Sequence, residues 1–154
     1  YGLIASSKDR DLPLHGVDNT YQSTKRLRVG PWYNAEPDDD ASCCRLETVA
    51  TEFSAQGLEL DLAVLAWGTD FLRTDGRWSN AHARGYQKGA RVHDPLNLRR
   101  NAYRVLLTRG RDGTAVFLPP DPRLDETADH LRACGFRELR EEAAEGGDPD
   151  ACAE

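Results

Sequence analysis

The connection Thr51-Glu52-Phe53-Ser54-Ala55-Gln56-Gly57-Leu58-Glu59-Leu60-Asp61 holds more polar groups than a turn requires. The hydroxyls of Thr51 and Ser54 can donate to a phosphate, and the Glu59 carboxylate can accept from a ribose hydroxyl. Gly57, beside Gln56, lets backbone approach a ligand or turn sharply with no side chain in the way. A second cluster, Thr108-Arg109-Gly110-Arg111, closes a patterned apolar segment. An arginine held on a rigid helix suits a fixed contact with phosphate, because its donors form a planar fork. Arginines at a helix carboxyl end also satisfy the macrodipole with no ligand present. On these residues alone both readings of the second cluster stand.

The elements that must position these groups follow from periodicity. Residues 1–6 (YGLIAS) predict a short buried strand, 44–52 an alternating strand, and 61–68 (DLAVLAWG) a strand covered on both faces. The segment LNLRRNAYRVLLTRG predicts a helix with Leu98, Ala102, Val105 and Leu106 inward and Gly110 as its stop. Residues 113–119 predict another buried strand. Residues 121–135 predict a helix capped by Asp121, with Leu124, Ala128, Leu131 and Cys134 inward. Strands that alternate with helices, without hairpin turns between them, predict a mainly parallel α/β sheet. In such sheets ligands lie at the carboxyl ends of the strands, so the loop 51–59 is expected to face that crevice.

Composition narrows the function classes. The 154 residues carry a net charge of −6, but residues 138–154 alone hold seven acids and one base, so the other 137 are neutral in sum. The stretch 71–100 holds seven bases against two acids, which suits an anionic partner such as nucleic acid or else a solvated arginine-rich loop. Cys43, Cys44, Cys134 and Cys152 form no C-x-x-C pair and share no metal-ligand spacing with the histidines, so no metal site is expected. Cysteine usage points to a reducing compartment, hence a cytoplasmic location. No apolar run reaches the ~18 residues of a membrane span. The chain contains no Met, and the expectation is the carboxy-terminal part of a longer polypeptide.

In order along the chain, Thr51, Gln56, Gly57 and Glu59, then a strand, then Thr108-Arg109 and a strand, resemble motifs V and VI of superfamily 1 helicases. The wording GLELD, WG and NAYRVLLTRGR is most similar to the Schlafen group-3-like DNA/RNA helicase domain family. The resemblance implies a three-layer, RecA-like (P-loop NTPase-like) second helicase domain over residues 1–137; the long polar stretch at about 69–95 reads as an insertion in it, and composition predicts a disordered acidic tail at 138–154. Motif IV would follow the first strand, where either Lys8 or Arg10 could supply its arginine-like charge. No G-x-x-x-x-G-K-[ST] occurs, and Asp70 after AVLAWGT has no adjoining Glu. By resemblance those parts belong to an upstream RecA-like domain, which would bind most of the ATP and Mg2+. The isolated chain is accordingly expected to be inactive as an ATPase.

The roles implied by the resemblance are specific. Arg109 would be the arginine finger, with Gln56, Gly57, Glu59, Thr108 and Arg111 near nucleotide. Thr51 and Ser54 would meet the backbone of single-stranded DNA or RNA. In the insertion, Arg77, Trp78 and Arg84 combine bases with an aromatic face, a pattern that binds unpaired nucleic acid; packing of Trp78 and Tyr86 onto the domain is the competing reading. The rival function is a non-catalytic interaction module on a degenerate helicase fold. A nuclease built on Glu59 and Asp61 lacks a lysine at useful spacing.

Overall fold

The computed structural model of the chain describes residues 1–86 and 90–139. Lys88, Cys152 and the acidic stretch from 140 onward lie outside the described residues. The strands are β1 (Gly2–Ala5), β2 (Ala50–Thr51), β3 (Leu60–Ala66), β4 (Leu72–Thr74), β5 (Arg77–Ser79) and β6 (Gly110–Phe117). The helices are α1 (Tyr21–Thr24), α2 (Val29–Asn34), α3 (Pro95–Leu107) and α4 (Asp125–Ala133). Four strands form one all-parallel sheet in the order β2-β1-β3-β6, and β4 pairs with β5 in a separate antiparallel hairpin. This is the expected α/β arrangement, with a mainly parallel central sheet and flanking helices.

Register explains how the two faces divide. Ile4, Leu65 and Val116 lie side by side on one face, and Leu3, Val64 and Ala115 on the other. The first face meets Trp32 of α2, Tyr103 and Leu106 of α3, and Leu131 of α4 in one core. The second face packs against Leu12, Val17 and Val49. Among the described residues α2, α3 and α4 therefore share one face, and short turns cover the other. On that second face Leu12 belongs to a short 3-10 helix, Leu12–His15, which Gly16 ends.

Several elements differ from their sequence pattern. Of the strand expected at 44–52, only Ala50 and Thr51 pair, because Cys43–Arg45 forms a 3-10 turn and Leu46 takes φ 57°. The 3-10 turn tucks Cys43 into the core while Leu46 stays exposed. In β3, Asp61 and Leu62 are exposed, and β6 is a half-exposed edge strand rather than a buried one. Residues 69–95 are not wholly loop, since Phe71 and Leu72 are buried and lead into the hairpin. Around α4, Leu124 in the 3-10 turn Pro122–Leu124 just before it and Leu131 within it do point inward, but Cys134 just past its end is exposed and Thr127 takes a buried position.

The helix α3 forms where its pattern requires. Asp94 accepts from the Asn97 amide and Pro95 sits in the first turn, an N-terminal cap with a pre-set backbone. Its buried stripe is Arg99, Ala102, Tyr103 and Leu106, displaced from the expected one, so that Leu98 is exposed. Thr108 caps the end, and Gly110 already belongs to β6. A side chain at Gly110 would lie 1.9 Å from the Gly113 carbonyl oxygen, so close backbone approach, not helix termination, demands glycine here.

Candidate functional site

The loop 51–59 joins opposite edges of the sheet. It leaves β2 at the carboxyl edge and enters β3 at the amino edge, where Leu60 pairs with Gly110. Its early part closes on itself: the Ser54 hydroxyl accepts from the Thr51 amide at 2.8 Å, and the Ala55 amide donates to the Thr51 carbonyl at 2.8 Å. Thr51 is buried and Ser54 half-buried. Gly57 has φ 84°, the left-handed region that turns the chain toward β3. Gln56 and Glu59 are exposed there. Only residues 51–54 thus lie near the carboxyl crevice; Gln56, Gly57 and Glu59 stand at the other edge of the sheet.

Arg109 joins this amino-edge cluster. Its Nε donates to the Val105 carbonyl at 2.9 Å, Nη1 to the carbonyls of Leu58 at 3.1 Å and Ala55 at 3.4 Å, and Nη2 to the Thr108 hydroxyl at 3.2 Å. Its own carbonyl accepts from the Leu60 amide. Four of the five guanidinium N–H donors are therefore committed, and one on Nη2 is left for another acceptor. Thr108 also donates back to the Arg104 carbonyl. Arg111 is exposed and pairs with Asp61 at 2.6 Å and with Asp112. Arg109 and loop 55–58 thus form one hydrogen-bonded unit.

The carboxyl edge is organised by residues the sequence reading did not select. Arg99, 3% exposed, reaches Glu52 at 3.1 Å through Nη2, and Asp70 at 3.3 Å and the Ser6 hydroxyl at 2.7 Å through Nη1. Ser7 donates to Glu52 from both its amide and its hydroxyl. Tyr103 donates to Asp70 at 2.6 Å and accepts from the Gly68 amide at 3.1 Å. Burial raises the Asp70 pKa above the usual carboxylate range, against hydrogen bonds from Ser6 and Tyr103 that lower it. Burial and the neighbouring Asp70 carboxylate push the Tyr103 hydroxyl well above its ordinary value. Burial opposes charge on Arg99, but Glu52 and Asp70 outweigh it and hold the guanidinium protonated. One signal in the sequence could have revealed Arg99. It lies three and seven residues before Ala102 and Leu106, on the apolar stripe, where a charge must find a buried partner.

The insertion divides. Trp78 stacks on Phe71 with ring centroids 4.4 Å apart and planes 6° apart, and meets His130 edge-on. It pins the hairpin to the domain, as the packing reading anticipated. Arg77 is exposed on β5. Farther on, the Arg84 amide donates to the Lys8 carbonyl at 2.8 Å, Lys8 Nζ donates to the Gly85 carbonyl, and Arg10 reaches the Ala83 carbonyl. Lys8 Nζ also lies 4.5 Å from the centroid of the Tyr86 ring. The two motif IV candidates thus hold the insertion against the loop after β1. A separate cavity of about 630 Å³ lies between β6 and α4, away from both clusters. No helix among the described residues is long and apolar enough to cross a membrane.

Comparison with protein-family models gives a match over residues 1–120 to the family described as Schlafen group 3, DNA/RNA helicase domain. No curated protein and no solved structure gives a significant match.

Proposed function

Starting from the chain's membership of the Schlafen group 3 DNA/RNA helicase domain family, we propose that it is the carboxy-terminal motor domain of an ATP-dependent helicase or translocase. Its fold would be the second RecA-like domain over residues 1–137. Gln56, Gly57, Glu59, Thr108 and Arg111 form the rim of a nucleotide site shared with an upstream RecA-like domain that carries the P-loop and holds Mg2+. Thr51, Ser54, Arg77 and Arg84 serve a single-stranded DNA or RNA partner, and Trp78 holds the hairpin that carries Arg77. The supporting observation is the Arg109 guanidinium, which ties the end of α3 to the carbonyls of the loop 55–58 and leaves one Nη2 hydrogen available.

The residues fit a nucleotide in one respect. An oriented guanidinium beside an exposed carboxylate and a glycine turn offers charge to phosphate and an acceptor to a ribose hydroxyl. ATP supplies the phosphoryl group that is transferred to water. This chain's part is electrostatic: Arg109, held by backbone carbonyls, needs little reorganisation to stabilise charge that develops on the transferring group.

One observation favours the non-catalytic alternative. Four committed donors are what a structural staple would also show. Full-length protein separates the two. Arg109→Ala is expected to lower ATP hydrolysis by ~10³-fold or more, with nucleotide affinity less affected, and Arg109→Lys to rescue poorly. A fall in melting temperature with hydrolysis intact would make Arg109 a staple and refute its catalytic role.

A further inference from the structure

The two arginines at the ends of α3 grip the same loop from opposite edges of the sheet. Arg99, in the second turn of the helix, holds Glu52 at the carboxyl edge, and Arg109, just past its end, holds Ala55 and Leu58 at the amino edge. Ten residues of nearly continuous helix separate them, about 15 Å along the axis at 1.5 Å per residue. Between the grips the loop is braced by its own bonds, from Ala55 N to Thr51 O and from Leu58 N to Ala55 O. Helix and loop therefore form a closed frame whose two short sides are arginine contacts.

We propose that the buried Glu52–Arg99 pair is a positioning contact that couples the two edges, so that events at the nucleic-acid edge set the pose of Arg109 at the nucleotide edge. This rests on the function proposed above and adds residues that reading does not use. The contact is built to report movement. Glu52 directly follows Thr51, and its carboxylate is shared between Arg99 and both donors of Ser7, which follows β1. A shift of the β1 loop or of Thr51 therefore pulls on Arg99. Arg99 cannot yield alone, because Nη1 is fixed to Ser6 and Asp70. Tyr103, one turn along α3, is tied to the same Asp70. The helix is thereby loaded at two points on its buried face and moves as a body, carrying the Arg109 backbone. Arg109 in turn is bonded to the loop that started the movement. Sequence spacing alone would not suggest this, since Glu52 and Arg99 are 47 residues apart.

The test uses full-length protein and three variants: Glu52→Gln, which keeps shape but removes charge; Arg99→Lys, which keeps charge but loses the fork; and Ser7→Ala, which loosens Glu52 without touching the ion pair. ATP hydrolysis is measured with and without single-stranded oligo(dT) and oligo(U), alongside melting temperature. The expected result is a fall of about tenfold in the ratio of stimulated to basal rate. The basal rate should fall less than the stimulated rate, and Ser7→Ala should lower the ratio by an intermediate amount. Stimulation in the variants equal to that of the parent protein would overturn the coupling while leaving the motor function intact. Basal and stimulated rates lost together, with a collapsed melting temperature in Glu52→Gln and Arg99→Lys and an unchanged ratio in Ser7→Ala, would assign the pair to folding alone. A parent protein that hydrolyses no ATP under any condition would remove the function itself, and the coupling with it.

Discussion

Replacing Tyr103 by Phe removes one hydroxyl and leaves the ring, and its effect can be worked out bond by bond. Tyr103 is 1% exposed, its ring 4.4 Å from that of Trp67 and 5.1 Å from that of Phe71, so Phe keeps the packing. Two buried groups lose partners: Asp70 loses the donor at 2.6 Å, and the Gly68 amide loses its acceptor at 3.1 Å. Each unsatisfied group costs about 1–3 kcal/mol. Asp70 keeps Ser6 and Arg99, so a total of about 2–5 kcal/mol is expected. For a domain of this size that lowers the melting temperature by roughly 5–15 °C. The penalty also depends on pH. Burial already raises the Asp70 pKa, and the Tyr103 hydrogen bond is one of the contacts opposing that rise. Without the bond the folded pKa climbs further while the unfolded value stays. A carboxyl with a raised folded pKa favours the folded state where it is protonated, and that advantage is lost as the pH rises through the folded pKa. The variant's penalty is therefore smallest in acid, where Asp70 is protonated in both proteins, and grows as the pH rises through the raised folded pKa of Asp70. Urea unfolding followed by tryptophan fluorescence, at pH 5 and pH 8, reads both effects. A loss under about 0.5 kcal/mol, or one that grows toward acid, would refute the assignment of Asp70 as a buried acceptor held by Tyr103.

Gly110→Ala should destabilise by about 1–3 kcal/mol or more, since its Cβ meets a backbone oxygen that cannot swing away. Gly113→Ala, whose Cβ would lie 3.4 Å from the end of the Leu62 side chain, should be near neutral, and equal denaturation midpoints for the two would contradict the packing. Charge reversal at Arg77 and Arg84 should weaken single-strand binding and flatten its dependence on salt, because fewer counterions are released. Unchanged binding by a protein with an unchanged melting curve would remove both from the nucleic-acid path.

The parts of the fold legible in the sequence are those fixed by a continuous local signal. Residues 2–5 and 62–66 read as strands because uninterrupted apolar runs have few other uses, and α3 reads as a helix because apolar residues recur at helical spacing, although the buried stripe is displaced from the one they suggest. The failures arise where a tertiary contact overrules the pattern. Alternation at 44–52 is real, but the 3-10 turn tucks Cys43 into the core beside Ile4 and Trp32, and the strand shortens to two residues. Hydropathy puts the helical stripe at Leu98, because a leucine outranks an arginine there, yet Arg99 is the buried residue. Its partners Glu52 and Asp70 are distant in sequence, and nothing local announces them. For the candidate site, the residues at Arg109 and 56–59 could be picked out from type and spacing. Their separation from Thr51 across the sheet could not, because a loop's residue order does not say which edge each part reaches.

The order of strands also has a consequence in time. β1 lies between β2 and β3, with Leu3 beside Val64 and Ile4 beside Ala50. During synthesis its four buried residues leave the ribosome ahead of both partner strands, the nearer some 45 residues behind and the longer about 60. At 5–20 residues per second, β3 follows after roughly 3–12 s. For that interval Gly2–Ala5 is an apolar ribbon with unpaired amides on both sides, open to the wrong neighbours. By contrast β3, the hairpin, α3 and β6 are consecutive, and they can assemble on contacts made within themselves. The nascent protein should therefore be most vulnerable to chaperone capture or aggregation before its first strand has been enclosed. Substitutions in β1 would then lower cellular yield more than their effect on the finished fold suggests.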